Sequence, residues 1–312
     1  MAKVIFKKGA YLLLVLLCIS FISFVLANAA PIDPAEAYAR RINKSASEET
    51  IQKMREEMGF DKPVAEQYLA WLGKVVRLDF GSSYITEKSV LTEMLGALPV
   101  TMLIALVAAL FILILSVPLG VLSAWRVGTF VDKIISGFSF LTLSVPGYFV
   151  GLLCLLLFGM KLRWLPIIGH GHPLSLICAA FVLALPMIGS LARVLRSLIL
   201  EEQEKDYILY ARARGVPMRE ILLRHLLRNS APACVTLFGQ NIGYLIAGTS
   251  IVETIFSAPG LGQYAINAAL NRDFPAINGY IVLMAFCFVL FNLAAELMGT
   301  LLNPGLRKEM NA

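Results

Sequence analysis

Six runs of apolar residues, each about 20 residues or longer, recur along the 312-residue chain. A helix of about 20 apolar residues crosses the roughly 30 Å hydrocarbon core of a bilayer. The pattern therefore predicts an all-α fold, a polytopic membrane helical bundle of about six transmembrane helices. The predicted spans are Gly9–Asn28, Leu95–Trp125, Ile134–Met160, Leu174–Leu200, Ala231–Phe256 and Tyr280–Leu302.

The polar segments divide the chain into four expected regions. Residues 1–30 would form a cytoplasmic tail and the first span, and 31–94 an extracytoplasmic segment. Residues 95–302 would form the main transmembrane domain, with a loop at 201–229, and 303–312 a cytoplasmic tail. From Val64 to Val76 apolar residues recur at helical spacing, which predicts an amphipathic helix. This helix could cap the bundle or contact substrate, and the pattern leaves both open.

The start of the chain has two interpretations. Lys3, Lys7 and Lys8 precede the first apolar run, and Ala27-Asn28-Ala29 follows it, as in a cleaved secretory signal. The apolar run is longer than an ordinary signal core. We therefore expect an uncleaved first span, with cleavage as the alternative.

Composition supports the membrane class, since 58% of residues are hydrophobic and 15% are charged, against about 25% charged in soluble domains. The net charge of +6 has a membrane explanation, because Lys and Arg collect in cytoplasmic loops. With both termini cytoplasmic, the short outer loops carry only Lys161, Arg163 and Arg272. We therefore expect that orientation and no nucleic-acid partner.

Catalytic and metal-binding motifs are absent from the sequence. There is no P-loop, HExxH or GxSxG motif. The five cysteines are dispersed in apolar runs, and His170 and His172 make only a weak pair of metal ligands. We expect no catalytic residue, no resident metal and no cofactor.

The fifth span is unusually polar, and polar groups inside a membrane are costly. Its candidate translocation-pathway residues are Gln240, Asn241, Gly243, Thr249 and Ser250. They would line a water-filled path or form hydrogen bonds between helices. After this span, Pro259–Gly262 predicts a turn and Gln263–Asn271 a short outer helix.

The segment 201–229 is polar and basic and lies between two predicted spans. Its cations are Lys205, Arg212, Arg214, Arg219, Arg224 and Arg228. Gly215 interrupts the segment near its middle, where glycine permits a turn that other residues resist. The pattern predicts a helix–glycine–helix platform on the cytoplasmic face, suited to contact with a soluble partner.

Several motifs of the chain resemble those of a known family. DYILYARARG at 206–215 and RHLLRN at 224–229 are similar to the coupling sequence of ABC importer permeases, in its peptide/nickel form. Leu209 and Tyr210 stand where the general signature has Glu and Ala, as is typical of that branch. Further likeness covers nearly the whole chain, in LPVT at 98–101, SVPGYFVG at 144–151, VETIFSAPGLG at 252–262 and RDFPAI at 272–277.

The resemblance implies a transport subunit of the bacterial inner membrane that is not itself an enzyme. Its implied partners are a homologous permease in a heterodimer, two cytoplasmic ABC ATPases that hydrolyse ATP, an extracytoplasmic substrate-binding protein, and membrane lipid. The implied ATPase-coupling residues are Tyr207, Tyr210, Ala211, Arg212, Ala213, Arg214 and Gly215.

The substrate expectation rests on finer likeness. The sequences at Asp79–Thr86, Trp164–Gly169 and Asn271–Ile277 are slightly more similar to nickel and metal-chelate permeases. We therefore expect half of a translocation pathway for nickel or metal chelates, with dipeptide or oligopeptide import as the alternative. An ATP-independent secondary carrier is a remote alternative. Such carriers often contain inverted repeats, and the sequence shows no clear internal repeat.

Overall fold

The computed structural model describes residues 2–28, 34–166 and 171–302. Over these ranges the chain is helical and has no strand, apart from an isolated bridge between Ser82 and Ser89. The helices are α1 Ala2–Asn28, α2 Pro34–Ile42, α3 Glu48–Glu57, α4 Val64–Val75, α5 Val90–Trp125, α6 Phe130–Ser144, α7 Gly147–Cys154, α8 Pro173–Gln203, α9 Asp206–Ala213, α10 Met218–Glu220, α11 Leu227–Ile255, α12 Leu261–Leu270 and α13 Phe274–Leu302. Two π-helical segments, Leu155–Lys161 and Ile221–Leu226, follow α7 and α10 directly.

Within the described residues, four helical stretches are long and apolar enough to cross a membrane. They are Val90–Trp125, Pro173–Gln203, Met218–Ile255 and Phe274–Ala294. A fifth crossing exists if α6 and the helix after it count as one broken span, and α1 contributes a shorter apolar stretch, Tyr11–Leu26. The predicted all-α membrane helical bundle is confirmed.

The third predicted span, Ile134–Met160, contains Pro146 within its apolar run, and the helix is broken there. Helices Phe130–Ser144 and Gly147–Lys161 meet at 98°. Pro146 is the N-cap of α7, and a proline cannot donate the backbone hydrogen bond that would continue α6. Pro186 is different because α8 runs through it without interruption. Neighbouring helices allow such prolines inside membrane helices.

The chain forms two compact units. The first comprises Met1–Pro99 and Gly260–Val289, and the second Val100–Pro259 and Leu290–Ala312. This grouping differs from the expected division at residue 94, because α12 and the first part of α13 group with the N-terminal residues.

The second unit is built around α8. Its buried positions are mostly small or aliphatic, among them Ala180, Ala184 and Ala192, and small residues allow membrane helices to approach closely. A Cβ on Gly189 would meet the Ser139 carbonyl oxygen of α6 at 2.9 Å and would also collide with Thr142 Oγ1. α6 and α8 are therefore in contact at the level of their backbones.

The first unit contains the predicted amphipathic helix, α4, and the predicted outer helix, observed as α12 Leu261–Leu270. Its core contains Phe80, Val90, Met94, Leu261, Ala268 and Ala276. Two buried hydrogen bonds join distant parts of the chain. Ser23 donates to Asn278 at 2.8 Å, and Ser83 donates to Asp273 at 2.5 Å.

Candidate functional site

α9 follows α8 after a two-residue turn, and one apolar side chain anchors it. Ile208 is completely buried in the hydrophobic core of the second unit. On the opposite side Leu209 and Tyr210 are 69% and 66% exposed. Asp206 lies in the first turn of α9, where a negative charge interacts favourably with the helix dipole. The helix therefore has a fixed inner face and a free outer face.

Gly215 ends α9 in a Schellman motif, one of the common ways in which glycine terminates a helix. Its φ is +78°, its amide donates to the Arg212 carbonyl at 2.9 Å, and the Val216 amide donates to the Ala211 carbonyl at 3.2 Å. A side chain at this φ is strained. The predicted helix–glycine–helix turn is present, and the geometry explains why glycine is needed.

A cluster of polar groups links α9 to both flanking membrane helices. The Tyr207 hydroxyl donates to Glu202 Oε1 at 2.6 Å, and Asn229 Nδ2 donates to the Tyr207 hydroxyl at 2.7 Å. Lys205 Nζ lies 2.5 Å from Glu202 Oε2. Partial burial, followed by the hydrogen bond to Glu202, raises the pKa of Tyr207. The phenol therefore stays neutral and ties α8, α9 and α11 together.

The part of the platform that follows Gly215 is also anchored, by buried apolar side chains. Ile221, Leu222 and Leu226 in the π-helical segment are buried, while Leu223 is half exposed. π-helical segments are rare and occur frequently at functional sites. Arg224 pairs with Glu220 at 2.6 Å on the exposed side. Segment 218–255 is thus one continuous helical stretch, rather than a span that begins at Ala231 as predicted.

The predicted coupling residues fall into two groups. Tyr210, Arg212, Ala213 and Arg214 are exposed, and the Arg214 guanidinium lies 5.8 Å from the centre of the Tyr210 ring, a cation–π arrangement. The others position the helix, with Tyr207 bonded towards α8 and α11, Ala211 partly buried and Gly215 in the capping turn.

Arg212 also borders a shallow cavity of about 400 Å³. Its other lining residues come from the end of α5 and the chain around α10 and include Trp125, Val216 and Met218. The exposed face of α9 is therefore continuous with a recess of this unit.

The predicted pathway residues do not share one face of α11. Gln240 is exposed, whereas Gly243 and Thr249 are buried within the unit. Asn241 Nδ2 donates to the Leu237 carbonyl at 2.8 Å, and Thr249 Oγ1 donates to the Ile246 carbonyl at 2.8 Å. Both bonds lie within α11, so the two expected roles, a water-filled path and hydrogen bonds between helices, stay predictions.

Sequence reasoning missed a strong ion pair near the ends of three helices. Arg196 of α8 binds both carboxylate oxygens of Asp132 in α6, at 2.8 and 2.9 Å. The Ser123 hydroxyl of α5 and the Gly128 amide donate to the same carboxylate. The available signal was Asp132 itself, an acidic residue at the edge of an apolar run.

A second buried polar contact joins α5 to the C-terminal part of α11. The Thr101 hydroxyl donates to Glu253 Oε1 at 2.7 Å, and both residues are completely buried. Both occur in motifs that resemble the peptide/nickel permeases, but nothing in their spacing indicated that they would meet.

Other expectations lie outside the described residues. They concern His170 and the expected cytoplasmic tail at 303–312. Among the described residues, no group of three or more His, Cys, Asp or Glu is arranged to hold a metal ion.

Two family descriptions match the chain. Residues 116–308 match "Binding-protein-dependent transport system inner membrane component". Residues 1–107 match the N-terminal region of membrane components of the same systems. Together the two matches cover most of the sequence, including α9 and its anchors.

Similar proteins match this chain over almost their whole length. A probable peptide ABC transporter permease protein of Sinorhizobium fredii is 32% identical over 98% of this chain and 100% of the relative. A metal-staphylopine import system permease protein of Staphylococcus aureus is 32% identical, covering 99% of each chain. An oligopeptide transport system permease protein of Bacillus subtilis is 35% identical over 97% of this chain and 99% of the relative. The chain therefore belongs to the family of inner-membrane components of binding-protein-dependent transport systems, the permease subunits of ABC importers.

Proposed function

We propose that α9 is the coupling helix through which a cytoplasmic ABC ATPase moves the membrane helices of this subunit. The observation that carries the proposal is the two-sided construction of α9. Its inner face is anchored by Ile208 and the Tyr207 hydrogen bonds, while Leu209 and Tyr210 project outward. A force applied to the outer face would therefore reach α8 and α11 directly.

The outer face has chemistry suited to a protein partner. Tyrosine and arginine are enriched where protein interfaces concentrate their binding energy. Arg212 and Arg214 are exposed and can form bidentate pairs with carboxylates of an ATPase. Movement of two packed helices as a rigid body is an established way to switch an assembly between two states.

The orientation and division of the chain are parts of the same proposal. With α9 cytoplasmic, both termini are cytoplasmic and the segment 31–94 faces the extracytoplasmic side, as the distribution of Lys and Arg supports. Residues 95–302 carry the pathway together with a homologous permease in a heterodimer. Two ATPases and an extracytoplasmic binding protein complete the importer.

The pathway itself is proposed to involve α11. Among the candidate residues, Gln240 is exposed in this single chain and Gly243 and Thr249 are buried. Gln240 is therefore the best candidate for contact with the pathway or with the second permease. Asn241 and Ser250 are half-buried and are proposed as secondary contacts.

The substrate class is proposed from likeness to relatives. One relative carries the name of a metal-staphylopine importer and others carry names of peptide or oligopeptide importers, at similar identity. The two classes proposed are small peptides and metal chelates. Because these relatives are similarly identical to the chain, they do not favour nickel, the substrate expected from the sequence motifs, over peptides.

Uptake measurements in a strain lacking the chromosomal copy test both parts of the proposal. Labelled dipeptides and labelled nickel, with and without chelator, are supplied to cells expressing the chain with its partners. We expect ATP-dependent uptake of one class. Gly215→Val, which strains the capping turn, should reduce it at least tenfold, whereas Gly215→Asn should retain most of it because Asn tolerates this conformation.

The controls decide the outcome. Both variants should be present in the membrane at wild-type amounts. Normal uptake by Gly215→Val, or uptake that persists without ATP, would contradict the coupling role.

A further inference from the structure

A cavity of about 1100 Å³ lies within the first unit. It is bordered by the end of α1, by α3 and α4 with the turn between them, by residues 79–87, and by the start of α13. Ligand sites are concave, mostly apolar, and contain a few well-placed polar groups. The cavity is large enough for a short peptide or another small solute.

The floor of the cavity is aromatic. Phe24, Phe80 and Phe274 line it and are each less than 10% exposed. The Tyr38 and Tyr84 rings, also in the lining, lie 5.0 Å apart. Aromatic faces attract both apolar groups and cations.

The lining also has an excess of negative charge. Two lysines, Lys62 and Lys74, are outnumbered by the carboxylates of Glu56, Glu57, Glu66, Asp79 and Glu87. An anionic ligand would be repelled by this lining, whereas a cationic group would be attracted by both the carboxylates and the aromatic faces.

One polar atom of the cavity wall lacks a hydrogen-bond partner. Gln67 Nε2 donates to the carbonyls of Lys62 and Phe60, at 2.8 and 3.3 Å, which fixes the amide. Its Oε1 is buried and accepts no hydrogen bond from the described residues. With no surface open to solvent, this oxygen does not face the cavity, and the Gln67 amide is part of the wall rather than a ligand contact.

The backbone at Tyr84 is tied to Asp273, and Tyr84 also lines the cavity. Its amide donates to Asp273 Oδ1 at 3.1 Å, and neighbouring Ser83 donates to Oδ2 of the same carboxylate. Burial, followed by the nearby charges of Asp273 and Tyr38, raises the pKa of the Tyr84 phenol. Tyr84 therefore remains a neutral hydrogen-bonding group in the cavity.

We propose that this cavity binds the protonated α-amino end of a peptide, with an apolar side chain of the peptide against the aromatic floor. The inference rests on the proposed role of the chain as an importer subunit, and it selects peptides over anionic metal chelates as the substrate class. At neutral pH most peptide α-amino groups are protonated, since their pKa is about 7.7–8.0. The carboxylates of the lining match the ammonium group of such a ligand, and the aromatic rings match its apolar side chain.

Calorimetric titration of the full-length chain in phosphatidylcholine nanodiscs tests the proposal without ATPase or transport. The probes are the tripeptide Ala-Phe-Ala and its N-acetylated form, which has no positive charge at the amino end. We expect the free tripeptide to bind at least about fivefold more tightly, because each exposed ion pair contributes up to about 1 kcal/mol.

Two matched pairs of variants locate the site. Glu57→Gln with Glu66→Gln removes two cavity carboxylates, whereas Glu48→Gln with Glu49→Gln removes two exposed carboxylates that do not line it. Ala70→Phe places a ring in the cavity wall, whereas Ala65→Phe places one elsewhere on α4. Only the first member of each pair should weaken binding, by about fivefold or more.

Equal binding of the free and acetylated tripeptides, no binding of either, or equal effects within each pair would overturn the inference. These outcomes are separate from the failure of the coupling proposal. Tripeptide binding in nanodiscs together with normal uptake by Gly215→Val would refute only the coupling role. Wild-type uptake that needs ATP and Gly215, without tripeptide binding in nanodiscs, would refute only the cavity.

Discussion

At the scale of single residues, one side chain determines how α9 is held. Tyr207 looks like an exposed aromatic in the sequence, yet its hydroxyl is shared between Glu202 and Asn229. Tyr210, three residues later and on the same short helix, is 66% exposed. The same residue type thus has two roles, with Tyr207 fixing the helix and Tyr210 available for contact with a partner.

The two tyrosines provide a matched comparison. Tyr207→Phe removes the hydroxyl that joins α8 to α11 and should lower the stability of the chain by about 0.5–1.5 kcal/mol, the usual net contribution of a hydrogen bond. Tyr210→Phe should leave stability unchanged. Thermal unfolding of the purified chain in detergent measures both. Equal shifts in Tm for the two variants would contradict the assigned roles.

The residue scale also shows what could be predicted from the sequence. Gly215 could be predicted as a turn because a glycine that follows a helical run commonly marks the C-terminus of the helix. The hydrogen-bonding role of Tyr207, whose side chain is still 38% exposed, could not, because its partner Asn229 lies 22 residues further along the chain. Contacts of that kind depend on the tertiary packing that brings the end of α8 close to the start of α11.

At the scale of elements, the ends of α5, α6 and α8 are joined by the carboxylate of Asp132. Arg196 holds it with two hydrogen bonds and Ser123 with a third, and Asp132 is only 5% exposed. α8 continues from this ion pair to Gln203, just before α9. The pair therefore fixes the helix that leads into the proposed coupling helix.

Removing one partner of a largely buried ion pair leaves the other charge uncompensated. Asp132→Asn should cost about 3 kcal/mol of stability for this reason. The control is Glu220→Gln, which breaks the exposed pair with Arg224 and should cost less than about 1 kcal/mol. Thermal unfolding distinguishes them, and a shift in Tm for Asp132→Asn no larger than for Glu220→Gln would contradict this role.

The boundaries of helices could be predicted where the length of an apolar run determines them. They could not be predicted where local backbone geometry determines them. The long spans and the amphipathic α4 follow from periodicity. The sequence places both Pro146 and Pro186 inside apolar runs, but Pro146 lies at a break, whereas α8 continues through Pro186. Whether a membrane proline bends a helix depends on the neighbours that satisfy the freed carbonyl.

At the scale of the whole molecule, the two units carry different candidate sites. The second unit carries α9, the ion pair of Asp132 and the buried core around α8. The first carries the aromatic, acidic cavity, whose lining includes residues of the motifs at 79–86 and 272–277. Its lining comes from residues 24 to 87 and 274 to 278, so the cavity becomes visible only when the fold brings these distant segments together.

Cysteine labelling at the outer face of α9 tests the central proposal most directly. The five native cysteines are replaced by serine, and Tyr210→Cys is exposed to a membrane-impermeant maleimide. The account predicts labelling in inside-out vesicles stripped of ATPase, protection when the ATPase is bound, and no labelling in intact spheroplasts. Leu69→Cys, on exposed α4, should give the opposite sidedness. Labelling of Tyr210→Cys from outside, or equal labelling with and without ATPase, would contradict the account.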